Sequence, residues 1–349
     1  MLKRPTCSLR RLSLGAAMAG VLGLLHGAYA LAGPAYEFDR HELESILEDL
    51  ASWWPGEWSS APQNHYENTV RMPVEGEHEP WYRTFARIDA PQIGPWVFYG
   101  QINIGGRDGP LYTRSQVLYT ASIDEARGVV LVRGQVLPDA EKYVNLQDRP
   151  ELWKQVKMRE DIINCDFIWR RDGEQIVGLL EGRTEEKRVG GPGTCTFQSN
   201  TGKEFFAEAE WALSPDTLWL YDINLLGGQQ FIGRKDRTHN RLYRARPYRC
   251  SIEDSNGRRT VDSYDRGGTG EVVTRSGTAM QWTLLRAHYP AADGFGLDEQ
   301  LRLSLEGGGS PGLVETSSAA PKANRIALAA RGIRVECALQ ARFGPLPTQ

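Results

Sequence analysis

The sequence predicts a mainly β protein, built as a calyx-like antiparallel β-barrel with a helix before it and a smaller β-rich unit after it. Two observations carry this prediction. Short, aromatic-rich runs of extended character follow one another from residue 82 to residue 243, and Gly, Asp, Asn, Ser or Pro punctuates them. We count roughly eight such strands with short connections, enough for a lipocalin-like barrel around one small ligand.

The first thirty residues have the pattern of an export signal. Basic pairs precede a small and apolar run over residues 12–25, and Ala28-Tyr29-Ala30 fits a signal peptidase site, with cleavage after Ala30 or Ala32. We therefore predict a signal peptide over 1–30, a periplasmic or extracellular protein, and no membrane span in the mature chain. Arg10-Arg11 leaves the twin-arginine route open beside the general secretory route.

The charge of the chain argues against nucleic-acid and anionic-membrane partners. The chain has 41 basic and 44 acidic residues, a formal net charge of −3, and the leader holds only basic ones. The mature chain is therefore more acidic still, whereas phosphate-rich partners need clustered Lys and Arg.

Four cysteines remain after the leader, an even number in a compartment that favours disulfides. They allow three pairings. We expect Cys165 with Cys195 and Cys250 with Cys337, because each of these pairs brackets one apparent domain.

The mature chain is expected to open on a helix. Asp39 with Glu42 resembles a capping box, and Pro55-Gly56 ends the segment. One face of this helix carries the apolar residues Leu43, Ile46, Leu47, Leu50 and Trp53.

Strands are expected next at residues 96–104, 112–120 and 129–136, and a short helix at Pro150. Two apolar runs around Asp172-Gly173 predict a hairpin that begins near Cys165. The residues of 205–213 then alternate between two sides of an extended chain, with Glu208 and Glu210 on the polar side. A turn at 214–216 leads into a returning strand at 218–221.

The barrel domain is predicted to span 39–246 and a C-terminal domain 247–349, because Gly, Ser and Thr become more frequent after Pro247. Strands are expected there at 271–275, 280–286, 297–305 and 326–339. We expect a mobile loop over 307–322, which is rich in Gly, Ser, Ala and Pro.

Familiar catalytic motifs are weak in this chain. Residues 308–312 match G-x-S-x-G, but Pro311 and the polar residues after it oppose the helix that a nucleophile elbow requires. The histidines show no metal-ligand spacing, so neither a metal nor a bound cofactor is predicted.

The remaining candidates are aromatic, basic and acidic residues on the predicted barrel strands. A calyx lined in this way suits a flat conjugated acid, since Arg pairs with carboxylates and rings stack on π systems. The alternative is that the rings form ordinary core and the arginines face solvent. The candidates are Tyr99, Gln101, Arg114, Trp169, Arg183, Trp211, Trp219, Tyr221 and Asp222.

Several of these positions also carry a family resemblance. The matching residues are Trp53, Gly56, Ser59, Gln63, the strands 97–101 and 113–118, Cys165, Gly178, Cys195, Glu208, Asp222 and Ile232-Gly233. On these residues, the stretch from about 43 to 243 resembles the CpcT/CpeT-type chromophore lyases. Members of that family attach linear tetrapyrrole bilins to phycobiliprotein cysteines and fold as a calyx-like antiparallel barrel.

The resemblance implies a bilin as substrate or ligand, Asp222 or Glu208 as the group that assists protonation, and a homodimer. It also implies that Arg114 and Arg183 pair with the bilin propionates. The chain departs from the family at polar positions: Gly100, Thr113, Gln116 and Ile223-Asn224 replace family residues. Two hypotheses follow. One is a lyase-like enzyme, and the alternative is an exported, non-enzymatic calyx protein for a small hydrophobic or tetrapyrrole-like ligand.

Overall fold

The barrel in the computed structural model is a closed ring of ten antiparallel strands, which confirms the predicted fold class and raises the strand number from eight. The structure describes residues 39–70, 78–112, 115–158, 165–184, 187–188, 190–198, 202–234, 236–307 and 313–344. The predicted signal peptide, Arg114 and the G-x-S-x-G segment lie outside these residues.

Twelve strands belong to the barrel sheet. They are β1 (Gly56–Ser59), β2 (Trp81–Arg87), β3 (Val97–Ile104), β4 (Val117–Asp124), β5 (Val129–Val136), β6 (Cys165–Asp172), β7 (Gln175–Gly182), β8 (Thr194–Gln198), β9 (Glu204–Leu213), β10 (Thr217–Leu226), β11 (Gln229–Ile232) and β12 (Asn240–Arg244). All except β8 and β11 form the closed ring, because β10 pairs with both β9 and β12, and β12 pairs with β1.

The predicted hairpin around Asp172-Gly173 is confirmed. Asp172 pairs with Gln175, and Gly173 has a φ of +61°, in the left-handed region that glycine enters most easily. By contrast, β4 begins at Val117 rather than at residue 112, so its predicted start was five residues early.

Helix α1 (Arg40–Trp53) begins as predicted at Asp39, whose side chain accepts a 2.9 Å hydrogen bond from the backbone N–H of His41. The predicted apolar face is buried except for Trp53, which is half-buried. Helix α2 (Ala61–Val70) follows β1, and Pro150 opens one of three short 3-10 helices, at Ala140–Tyr143, Leu146–Asp148 and Pro150–Gln155.

The C-terminal strands form two four-stranded antiparallel sheets. They are β13 (Pro247–Asp254), β14 (Gly257–Tyr264), β15 (Arg266–Val273), β16 (Ala279–Pro290), β17 (Leu297–Gly307), β18 (Leu313–Ala319), β19 (Arg325–Ala330) and β20 (Ile333–Leu339). Apolar side chains of both sheets, such as Ile252, Trp282, Leu303 and Val335, share one buried core. The two sheets therefore form a β-sandwich.

Two C-terminal expectations differ from the structure. Residues 313–319, expected to lie in a mobile loop, form β18 and pair with β17 along their whole length. The expected single strand over 326–339 is a hairpin, because Arg331 and Gly332 both adopt positive φ and reverse the chain.

Both predicted disulfides are confirmed. Cys165–Cys195 joins β6 to β8, and Cys250–Cys337 joins two directly paired residues of β13 and β20. The first disulfide lies in the barrel wall and the second in the sandwich core, so each stabilises its own part of the chain.

A candidate binding site in the barrel lumen

The alternation of side chains along each strand decides which residues face the space inside the barrel, here called the lumen. On β3, Phe98 packs in the interior cluster with Trp54. Its neighbour Tyr99 instead packs with Leu118, Tyr143 and other residues of a separate cluster on the outer face. One residue thus separates a lumen position from a position in the outer layer.

Helix α1 and the residue after it fill one end of the lumen. Trp54 is fully buried, and its ring centroid lies 4.8 Å from that of Tyr119, 5.1 Å from Phe85 and 6.0 Å from Trp211. Trp169 completes this aromatic cluster at 6.1 Å. Tilted and edge-on rings at such separations pack favourably, so this end is a rigid aromatic floor.

Glycines on the strands make room for these large rings. A Cβ on Gly178 would lie 2.5 Å from the Trp169 ring, and a Cβ on Gly100 would lie 3.0 Å from Tyr119 and Phe85. Packing against Trp169 therefore explains a glycine at position 178 without reference to the family resemblance.

Arg83 on β2 brings a positive charge into the lumen. Its side chain is 5% exposed, and its Cζ lies 4.6 Å from the Trp81 ring centroid and 5.6 Å from that of Trp211. Among the described residues, no acceptor reaches Arg83 Nε. Burial lowers the pKa of Arg83, and the attraction of Asp222 opposes that shift.

Asp222 on β10 brings the opposite charge. Trp211 Nε1 donates a 3.3 Å hydrogen bond to Asp222 Oδ1. Burial raises the pKa of Asp222, although the nearby Arg83 charge and the Trp211 hydrogen bond act to lower it. Trp211 thus contacts both charges, one through its ring face and the other through its N–H group.

Apolar side chains line the part of the lumen beyond these charges. Ile102, Ile104, Val117 and Phe167 pack against the interior cluster but stay half-buried. The indole N–H groups of Trp54 and Trp169 are buried with no acceptor among the described residues. The lumen therefore combines half-buried apolar side chains with buried indole N–H groups that have no acceptor among the described residues.

Three of the predicted site residues meet in this lumen: Trp169, Trp211 and Asp222. Sequence reasoning missed Arg83, although a signal was present. Trp81, Arg83 and Phe85 alternate along β2, so Arg83 interrupts an otherwise apolar inward face.

The prediction that Tyr99 and Gln101 line the cavity needs correction, because both lie in the layer outside the barrel wall. The Tyr99 hydroxyl donates to Tyr143 O at 2.8 Å and lies 2.9 Å from Gln101 Oε1. Gln101 Nε2 in turn donates to Asn145 Oδ1. These bonds fix the segment 140–158 on the barrel, so the two side chains have structural partners instead of a ligand.

The remaining predicted residues also lie outside the lumen. Arg183 pairs with Asp166 at 3.1 Å, and Glu208 pairs with Arg237. The Arg237 guanidinium also lies over the Tyr221 ring, and Trp219 is 39% exposed. Strand parity explains these corrections, since Glu208 and Tyr221 alternate with the inward residues Ala209 and Asp222.

A second polar cluster connects α2 to the loop before β12. His78 Nδ1 lies 2.5 Å from Glu67 Oε1, and His78 Nε2 lies 3.1 Å from Thr238 Oγ1. Thr238 also bonds Asp236, which pairs with Arg234. Burial lowers the pKa of His78, and Glu67 opposes that shift. The cluster ties three separate segments together.

In the described residues, no group of three or more His, Cys, Asp or Glu side chains is placed to hold a metal ion. Nor does any helix in the described part of the chain have the length and apolar character needed to cross a membrane.

Comparison with known proteins gives little more. No protein-family model matches the chain, and no curated protein matches it. Among solved structures, the chain is similar to the selenomethionine form of the CRL protein of Arabidopsis, with a TM-score of 0.40 and 16% identity, over 58% of this chain and 97% of that one. A likeness this weak carries no argument about function.

Proposed function

We propose that the barrel binds one small, flat, largely apolar molecule, such as a tetrapyrrole or another conjugated ring system. The observation that carries this proposal is that three of the buried donors without an acceptor among the described residues belong to lumen side chains, namely Trp54 Nε1, Trp169 Nε1 and Arg83 Nε. Buried donors of this kind cost free energy unless a partner accepts their hydrogen bonds. A bound molecule with acceptor atoms would supply that partner.

The arrangement of the lumen supports a ligand of limited size. The aromatic floor closes one end, so the ligand would occupy the half lined by Ile102, Ile104, Val117 and Phe167. Flat molecules gain most from such walls, because ring faces and branched apolar side chains offer large contact areas.

Titration of the purified protein with biliverdin tests this function. We expect saturable quenching of tryptophan fluorescence at micromolar ligand, together with a change in the ligand's absorbance band. Substitution Phe167→Asp should weaken binding strongly, whereas Trp219→Phe on the outer face should leave it unchanged. Absence of any spectral change with biliverdin and with protoporphyrin would count against the proposal.

A lyase-like reaction is a second candidate, and the position of Asp222 favours it. A half-buried carboxyl group with a raised pKa can hold a proton for a reacting ligand. In the reaction, a cysteine thiolate of an acceptor protein would form a C–S bond to a vinylic carbon of the bilin. The neighbouring carbon would take up the proton, so the addition needs no oxidant or reductant.

Mass spectrometry can separate the two candidates. The protein, phycocyanobilin and a phycobiliprotein subunit with a free cysteine would be incubated together. A lyase produces an acceptor whose mass has increased by one bilin, faster than in the absence of the protein, and Asp222→Asn slows it. Tight bilin binding without this adduct leaves the binding function alone.

We also infer that the protein works in an oxidising compartment, as an exported protein would. Both disulfides lie in buried clusters, which fits structural rather than redox-active cysteines. A homodimer remains a prediction of the family resemblance.

A further inference from the structure

The lumen holds two opposite charges that do not touch each other. Arg83 and Asp222 influence each other electrostatically and both contact Trp211, yet no ion pair or hydrogen bond joins them directly among the described contacts. Arg83 is buried and Asp222 is half-buried, and opposite charges in such sites usually meet in a direct pair, because separation leaves each one poorly compensated. A ligand bound as proposed above could contact both charges with one polar group.

Arg83 Nε is a buried donor without an acceptor among the described residues. Trp81 and Trp211 lie against the guanidinium group, and its N–H bonds lie in the guanidinium plane. A ligand therefore satisfies Arg83 with an acceptor that approaches in that plane, as a carbonyl oxygen does.

Asp222 makes the complementary demand. One of its oxygens accepts the Trp211 hydrogen bond, and an ionised carboxylate has further lone pairs that only a donor can satisfy. A ligand group that contacts both charges thus needs an acceptor for Arg83 and an N–H or O–H donor for Asp222.

Charge balance then decides between two kinds of ligand group. Arg83 and Asp222 already cancel each other, so a ligand carboxylate would place a second negative charge near Asp222 in a poorly solvated site. A neutral amide adds no charge and presents both atoms. In a cyclic amide, or lactam, the C=O and N–H groups are held side by side.

We propose that Arg83 and Asp222 recognise a lactam group of a flat ligand, with the lactam oxygen accepting from Arg83 and its N–H donating to Asp222. This contact differs in kind from the carboxylate-to-arginine contact that the family resemblance implies at Arg114 and Arg183. It makes Arg83 and Asp222 specificity-determining residues of the lumen.

Three bicyclic probes of similar size test the assignment. 2-Quinolinone has the lactam, 2-methoxyquinoline lacks the N–H donor, and quinoline-2-carboxylate carries a negative charge. We expect 2-quinolinone to bind at least about tenfold more tightly than either of the others, as hydrogen bonds to charged groups imply. Isothermal titration calorimetry measures all three, and biliverdin compared with its dimethyl ester repeats the test at full size.

Matched variants locate the effect. Arg83→Met and Asp222→Leu should each abolish the preference for 2-quinolinone, and the double variant should bind all neutral probes alike. Arg183→Met and Glu208→Leu make the same chemical changes on the outer face and should keep the preference. Near-ultraviolet circular dichroism checks that each variant keeps its packed aromatic core.

The outcomes separate the inference from the function on which it rests. If the carboxylate probe binds best, or if biliverdin binds much better than its dimethyl ester, the lactam assignment is overturned while the binding function stands. Equal affinities for all three probes overturn it as well. If no probe and no biliverdin binds to the folded wild-type protein, the binding function itself falls.

Discussion

The lumen and the junction between barrel and sandwich both bury arginines, but they treat the charge differently. At the junction, Asp265 is fully buried and accepts 2.7 Å hydrogen bonds from both the backbone N–H and Nε of Arg246. Arg286 lies 3.1 Å from the same carboxylate, and Arg266 pairs with Glu299 at 3.2 Å. In the lumen, Arg83 has aromatic neighbours, and no carboxylate of the described residues is in direct contact with it.

This difference separates charges that are paired within the fold from a charge that the proposed ligand could use. Each junction arginine has a carboxylate within ion-pair distance, and removal of that carboxylate would leave buried positive charge. Arg83 is already a buried positive charge without a carboxylate of the described residues in direct contact. The junction charges are therefore paired within the fold, and the lumen is where we propose that a ligand binds.

The largest effect is expected from the sandwich disulfide. The double substitution of Cys250 and Cys337 by Ser should lower the free energy of unfolding by about 4 to 5 kcal/mol, since this disulfide closes a loop with a sequence separation of 87. The same change at Cys165 and Cys195, with a separation of 30, should cost about 3 to 4 kcal/mol. Urea unfolding under non-reducing conditions measures both, and the reverse order would contradict the chain-entropy explanation.

Loss of the junction carboxylate should be nearly as costly. Asp265→Ala leaves Arg246 and Arg286 without their shared partner, so we expect a loss of about 3 to 5 kcal/mol in urea unfolding. Asp262→Ala is the matched control, because Asp262 pairs with Arg249 at the surface and should cost about 1 kcal/mol or less. Equal losses of unfolding free energy in the two variants would contradict a structural role for the junction.

Removal of the lumen arginine should raise the free energy of unfolding, whereas the substitutions above lower it. Arg83→Met replaces a buried, poorly compensated charge by an apolar side chain. The free energy of unfolding of the ligand-free protein should therefore be about 1 kcal/mol higher than in wild type. The opposing term is the loss of attraction to Asp222, which keeps the gain small. A loss of stability as large as that of Asp265→Ala would show that Arg83 is structural after all.

The smallest predicted effect is a pH dependence at Asp222. Because its pKa is raised in the folded protein, the folded state takes up a proton at higher pH than the unfolded chain does. Stability of wild type relative to Asp222→Asn should therefore rise as the pH falls from neutral toward the ordinary aspartate value of about 3.9. Thermal unfolding of both proteins across this pH range measures their difference in stability. A difference that does not change with pH would contradict the raised pKa of Asp222.

Sequence patterns predicted the residues of β9 best. Its inward residues are small or apolar and its outward residues include Glu208 and Glu210, so polarity alone reveals the two faces. On β3 the same approach failed for Tyr99 and Gln101. There the segment 140–158 covers the outer face, and both faces are buried. Alternation carries no information when neither side meets water.

The charged pair of the lumen was harder to find for another reason. Asp222 and Arg83 lie far apart in the sequence, and only the closure of the barrel through β9, β10, β12 and β1 brings β10 near β2. A single sequence reveals that Arg83 interrupts an apolar face, but not which charged residue lies near it in the folded barrel.

The closure of the barrel also sets the order in which the chain can fold. The last junction of the ring pairs Trp58 with Arg244, so the wall stays open until nearly the whole barrel sequence is available. Local hairpins such as β6–β7 can form early, whereas this junction must close a long loop and bears its entropic cost. Until that junction closes, β1 and β12 are unprotected strand edges, the part of the nascent chain most exposed to pairing with another copy.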